Sequence, residues 1–114
     1  MIIYYQLKIE IEESKYDKLS EIFNLTPRDK SIFWTYEIID DSDDSDEYID
    51  YFEHFVNIID ENKLKIEALN IDISDFYILM LIEEEENDQM NFEILPKDLK
   101  LLGDRGITLC WSIM

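Results

Sequence analysis

The sequence predicts one α+β domain over residues 1–114, a single twisted, mainly antiparallel sheet of about five strands with two to four helices packed on it. Three observations lead there. The chain has 114 residues, 46% of them hydrophobic, with six Phe, seven Tyr and two Trp, which is enough apolar surface for one ordinary core and too little for two. Segments of period two and period 3.6 alternate in the order β-α-β-α-(α)-β-β-α-β. There is no internal repeat and no Gly/Ser-rich linker, since the two glycines are Gly103 and Gly106. Helices interleaved with short strands around one core read as α+β.

The elements follow in order. Residues 4–11 (YYQLKIEI) alternate Tyr5, Leu7, Ile9 and Ile11 with Tyr4, Gln6, Lys8 and Glu10, the pattern of a half-buried strand. Ser14, with Asp17 three residues on, reads as the cap of a helix whose apolar stripe is Tyr16, Leu19, Ile22 and Phe23. Asn24 and Pro27 stop it. Residues 31–39 (SIFWTYEII) are β-branched and aromatic, hence a strand. Tyr48, Phe52, Phe55 and Ile59 then fall on one helical face, predicting a helix over residues 47–60. Residues 63–69 suit either a second helix or a short strand, and Leu64, Ala68 and Leu69 favour helix.

Residues 75–82 (DFYILMLI) are nearly all apolar and one strand long, as expected of a central strand covered on both faces. Residues 83–89 read as a hairpin turn and residues 90–95 as the returning strand. Pro96 opens a short helix that Gly103 closes. A last strand, residues 107–114, alternates Ile107, Leu109, Trp111 and Ile113 with Thr108, Cys110 and Ser112. Trp34, Tyr36 and Trp111 read as core. A Trp exposed beside the acidic run described next would instead be a candidate interface anchor.

Charge is the strongest functional signal. The chain carries 28 acids against 10 bases, a formal −18. Residues 31–62 hold eleven acids and no Lys or Arg, and residues 66–96 hold nine acids and again no base. Such a field repels nucleic acid and anionic membrane and speeds encounter with a cation. The amino-terminal MIIYYQLKIE has neither the basic start nor the apolar core of a signal peptide. No apolar run approaches the ~20 residues of a membrane span. The single Cys110 cannot form an internal disulfide, so the expected location is cytoplasmic.

The charge peaks in IDDSDDSDEYI, residues 39–49, with six carboxylates among eleven residues. An EF-hand loop needs acids at its first, third and fifth positions, Gly at the sixth and Glu at the twelfth. No register of this run supplies them, and no metal or cofactor is expected. Asp44 or Ser45 can cap the following helix, with Asp46, Glu47 and Asp50 in its first turn. Asp40, Asp41 and Asp43 gain little from that helix. Asp40, Asp41, Asp43, Asp44, Asp46 and Glu47 are therefore the candidate partner-binding residues, against the ordinary alternative of a solvated loop. The second block, Glu83 to Glu86 with Asp88, reads as a solubilising hairpin tip.

Catalysis finds little support. His54 is the one histidine, and a Cys110–His54 pair is the one conceivable thiol nucleophile and base. A strand thiol between Leu109 and Trp111 is more often inert packing. No Gly-rich phosphate loop exists.

The order and punctuation resemble a widespread bacterial domain of unknown function, family 4279. The resemblance rests on the Leu-x-Pro turn at Leu25-Thr26-Pro27, the tryptophan strand at Phe33-Trp34 and the long helix after it. It also rests on the pattern from Phe92 through Pro96 to Leu99 and on Gly106 before an alternating strand. The short connection from Pro27 to Trp34 and the acidic insertion depart from that family's pattern. The resemblance implies a compact α+β domain without catalytic residues, similar to immunity proteins that occupy a toxin.

Joined to the charge, this predicts a non-enzymatic binding protein that neutralises a basic protein partner, most concretely a toxin-immunity protein facing a partner such as a nuclease toxin. The alternatives are a nucleic-acid mimic that inhibits a DNA- or RNA-binding protein, and a small-ligand protein or enzyme using a pocket between sheet and helices.

Overall fold

The computed structural model describes residues 2–28, 33–41, 50–83 and 94–113. They form an α+β fold with one four-stranded mixed sheet in the order β2-β1-β3-β4. Its strands are β1 (Ile2–Glu10), β2 (Phe33–Asp40), β3 (Phe76–Glu83) and β4 (Thr108–Ile113). The helices are α1 (Tyr16–Phe23), α2 (Tyr51–Glu61), α3 (Lys63–Ala68) and α4 (Pro96–Arg105). β1 pairs antiparallel with both β2 and β3, while β3 and β4 run parallel. Among the described residues, no helix is long and apolar enough to cross a membrane.

The sheet differs from the expected one in two respects. The described residues hold four strands rather than about five, because the expected hairpin and returning strand fall largely at residues 84–93, outside the described residues. Ile94 and Leu95 belong to no regular element. β4 is parallel to β3 because a helix, α4, lies between them and carries the chain back to its starting end.

Strand alternation separates two faces. Tyr5, Leu7, Ile9, Trp34, Tyr36, Phe76, Ile78 and Met80 lie on the helix side, where Leu7, Ile9, Trp34, Phe76 and Ile78 have no exposed surface. Against them pack Leu19 and Phe23 of α1, Phe52, Phe55, Val56 and Ile59 of α2, Ile66 of α3 and Leu102 of α4. Trp34 is core as expected, and its indole N–H donates to Ser20 Oγ at 3.0 Å, while that hydroxyl donates to the Tyr16 carbonyl at 2.9 Å. One side chain thus ties α1 to the sheet.

The opposite face carries no described helix. Gln6, Lys8, Thr35 and Glu37 lie there, with Gln6 Nε2 donating to Glu37 and Lys8 poised 5.1 Å from the Phe33 ring centre. Phe33 meets Tyr77 edge-on at 6.0 Å. Among the described residues β3 is therefore not covered by helices on both faces: Ile78, Met80 and Ile82 are buried, but Tyr77, Leu79 and Leu81 are half-buried. Their shielding comes from cross-strand neighbours, Leu79 from Gln6 and Cys110, Leu81 from Tyr4 and Ser112.

Helix ends also depart from expectation. Ser14 sits inside a 3-10 turn, Glu13–Lys15, and α1 begins after it without a side-chain cap. Asn24 closes α1 in the left-handed region (φ 53°), with its N–H and that of Leu25 bonded to the Glu21 and Ser20 carbonyls. Residues 63–68 are helix, as the leucine and alanine content implied. α4 runs through Gly103 and is closed instead by Gly106, at φ 73°.

These two glycines predict opposite effects. A Cβ at Gly103 meets nothing within 4 Å, so Gly103→Ala gains about 1 kcal/mol from helix propensity. Gly106→Ala, forced to keep a positive φ, loses about 1 kcal/mol or more. Urea denaturation midpoints of the two variants check both signs.

Candidate functional site

Strand pairing brings together acids that are far apart in sequence. β1 begins at one end of the sheet, where Ile3 pairs with Asp40 on one side and Ile2 pairs with Glu83 on the other. Asp40 ends β2 and Glu83 ends β3. Both acidic blocks, residues 40–47 and 83–88, therefore begin at the same end of the molecule, on strands about 10 Å apart across β1. Asp40 follows Trp34, Tyr36 and Ile38 onto the helix side, whereas Glu83 lies on the open face with Tyr4.

Tyrosine hydroxyls hold both carboxylates. Tyr51 donates to Asp40 Oδ2 at 3.2 Å and Tyr4 to Glu83 Oε2 at 3.0 Å. Tyr5 stacks on Tyr51 with ring centres 4.4 Å apart. Burial, then the charge of Asp40 and the neighbouring Tyr51, pushes the Tyr5 hydroxyl up to about 12. Burial and Asp40 also raise Tyr51, while the hydrogen bond to Glu83 is the first cause that raises Tyr4. These phenols stay protonated donors over the whole physiological range.

The same end receives two helix starts. Asp50 caps α2 by accepting from the Glu53 backbone N–H at 2.9 Å. The cap is thus Asp50 rather than Asp44 or Ser45. Lys97, in the first turn of α4, lies 3.1 Å from Asp50 Oδ2. That oxygen has no well-directed hydrogen bond, so the contact is an ion pair. Burial would raise the Asp50 carboxyl, but the Glu53 N–H, then Lys97 and a hydrogen bond from Asp98, outweigh it and hold it below the usual range. Asp98 is fully buried. At the far end of α4 a second tie repeats the theme in the open: Arg105 grips both Asp60 oxygens, with its closest contact at 2.7 Å.

Of the sequence-predicted site residues, Asp40 and Asp41 stand at this end, Asp40 half-buried and Asp41 exposed. Asp43, Asp44, Asp46 and Glu47 lie outside the described residues. Sequence reasoning missed Glu83, Tyr4 and Tyr51 as members of the same constellation. No spacing signals them, because only the register of β1 with its two neighbours makes them neighbours.

No family model, no curated protein and no solved structure matches this chain. Its geometry therefore has to speak for itself.

The alternative thiol chemistry can be located. Cys110 is exposed, not packed, and points to the open face of the sheet beside Leu79. His54 is on α2 on the helix side, exposed, with its ring 6.5 Å from Tyr36. The sheet separates the two. A cleft of about 480 Å³ lies between α2, α3 and the end of α4, lined by Ile59, Ile66 and Ile71 with Asp60, Lys63 and Arg105. Neither Cys110 nor His54 lines it. Among the described residues, no group of three or more His, Cys, Asp or Glu is arranged to hold a metal ion. Trp111, expected in the core, is 57% exposed, and Ile113 is 52% exposed, because β4 is the edge strand.

Asp50→Ala removes a helix cap and an ion pair at once, with an expected loss of about 1–2 kcal/mol at pH 7. The folded carboxyl titrates below its ordinary 3.8. Its stabilisation is therefore complete above that value and is lost as pH falls through the lower, folded one. Stability curves of wild type and variant should converge in acid, as urea titrations between neutral pH and pH 3 will show.

Proposed function

We propose that this chain is a non-enzymatic, cytoplasmic binding protein that neutralises a basic protein partner, in the manner of a toxin-immunity protein, and that its acidic end makes the contact. The observation that carries this reading is that Asp40 and Glu83, the residues at which the two acidic stretches of sequence begin, flank the first residues of β1. A solvated loop or a hairpin tip accounts for either block alone. Asp40, Asp41 and Glu83 flanking one strand make a directed negative field at that end of the sheet, suited to steering a cationic surface.

Asp40 and Glu83 enter such an interface already oriented by Tyr51 and Tyr4, which lowers the ordering cost of pairing with Lys or Arg. A fully desolvated pair can contribute ~1.5–7 kcal/mol of coupling, and a rim pair far less. The resemblance to the bacterial family and its immunity-like character supports the same class of partner, a basic nuclease toxin being its most concrete form.

The test is affinity capture from the source cell's lysate at low salt, with a salt step for elution, followed by kinetics on the captured partner. Binding is expected to weaken with salt. Paired charge reversals, Asp40→Lys with Asp41→Lys and Asp43→Lys with Asp44→Lys, are expected to slow association by about tenfold or more. Glu83→Lys should add to the effect. Unchanged on-rates in all three would remove the acidic end from the interaction.

A further inference from the structure

β4 is an edge strand of an unusual kind for so charged a chain. Thr108–Ile113 reads TLCWSI, without a charge, a proline or a break in its register with β3, although 33% of all residues are charged. Lys, Pro and bulges are the usual devices that keep an edge from pairing. The other edge is blunted by a charge and by a chain segment laid against it. β2 carries Glu37, ion-paired to Arg28 at 3.3 Å, and the Arg28 backbone N–H occupies the outward Thr35 carbonyl at 2.7 Å. Among the described residues, nothing pairs with the outer side of β4. Beside that edge, on the helix side, Trp111 and Ile113 are more than half exposed, and Leu99 of the adjoining α4 is 50% exposed.

We propose that β4 is a dimerisation edge. Two copies of this chain pair antiparallel through Thr108–Ile113 about a two-fold axis perpendicular to the sheet, doubling the four strands into one continuous sheet. Charge selects the occupant. The edge offers no carboxylate to the Lys and Arg of a basic partner, whereas a second copy brings an equally neutral edge with the complementary N–H and C=O pattern.

The antiparallel arrangement also manages the net charge. The carboxyl end of β4 lies at the acidic end of the sheet, with Ile113 beside Ile82. The two-fold carries the second copy's acidic end to the other end of the paired strands. A six-residue strand spans about 20 Å, well beyond the ~8 Å screening length at physiological salt.

Further geometry follows. Directly paired residues point to one face, and Cys110 points to the open face, so its mate across the seam is Thr108, Cys110 or Ser112 of the second copy. Both helix layers then lie on the same side. There Trp111 and Ile113 of each copy meet beneath the two α4 helices.

Sedimentation velocity over a concentration series, on the full chain, tests this. The expected result is a dimer of twice the 13.8 kDa chain mass, tighter at high salt as self-repulsion is screened. Binding of a basic partner has the opposite salt dependence, so the two readings fail separately. Trp111→Lys and, on the other face of the strand, Ser112→Lys should each weaken dimerisation by about tenfold or more. Circular dichroism confirms that each variant stays folded. Asp40→Lys with Asp41→Lys should dimerise as well as wild type. A short bis-maleimide should link Cys110 to Cys110 in the dimer. A monomer at every concentration, a dimer indifferent to both β4 variants, or a dimer without the Cys110 cross-link would each overturn the proposal.

Discussion

Everything distinctive about this molecule depends on the central placement of β1 between two antiparallel neighbours. Leu7 and Ile9 have no exposed surface, because each lies between a residue of β2 and one of β3: Leu7 between Tyr36 and Ile78, Ile9 between Trp34 and Phe76. Since both neighbours run opposite to β1, both finish where β1 starts. That single topological fact sets Asp40 and Glu83 at one end. A parallel β2 or β3 would have sent one of these two acids to the far end.

The concentration of charge has a structural counterpart. Carboxylates that must stay close are not left bare: Tyr51 and Tyr4 donate to Asp40 and Glu83, and the α2 amino terminus and Lys97 serve Asp50. Helix N-termini tolerate negative charge because their free N–H groups are partly positive. The repulsion among these groups is thereby reduced with a single base, Lys97, so most of the net field outside survives. At the opposite end of the sheet the acids Glu10, Glu12 and Asp75 are interleaved with Lys15, and Asp60 with Arg105, so the field there is more balanced.

The two surfaces divide the labour between charge and its absence. In the proposed function the acidic end meets its partner over distance, by a field that salt weakens. The β4 edge is neutral, and contact there depends on backbone hydrogen bonds and on Trp111, which act only at short range. The acidic end comes from the ends of β2 and β3, and the neutral edge from β4 beside β3, so β3 joins the two.

How much of this was legible in the sequence follows from the range of the forces involved. The α1 stripe, the α2 stripe through Phe52, Phe55 and Ile59, the helix at residues 63–68 and the buried Trp34 were all readable, because periodicity reports which face of a local element is apolar. The same periodicity put Trp111 and Ile113 on the helix face of β4, and they do lie there. It could not tell that an edge strand leaves that face open. Nor could it tell that Gly106 rather than Gly103 ends α4, that Asp98 is buried, or that Cys110 is exposed. By itself the sequence determined the elements, their apolar faces and the net charge, which are local or additive properties. Only the tertiary structure decided which strands are neighbours. Pairing is a long-range choice among hydrogen-bonding edges that look alike in sequence, and from it come both the joined acidic end and the bare edge.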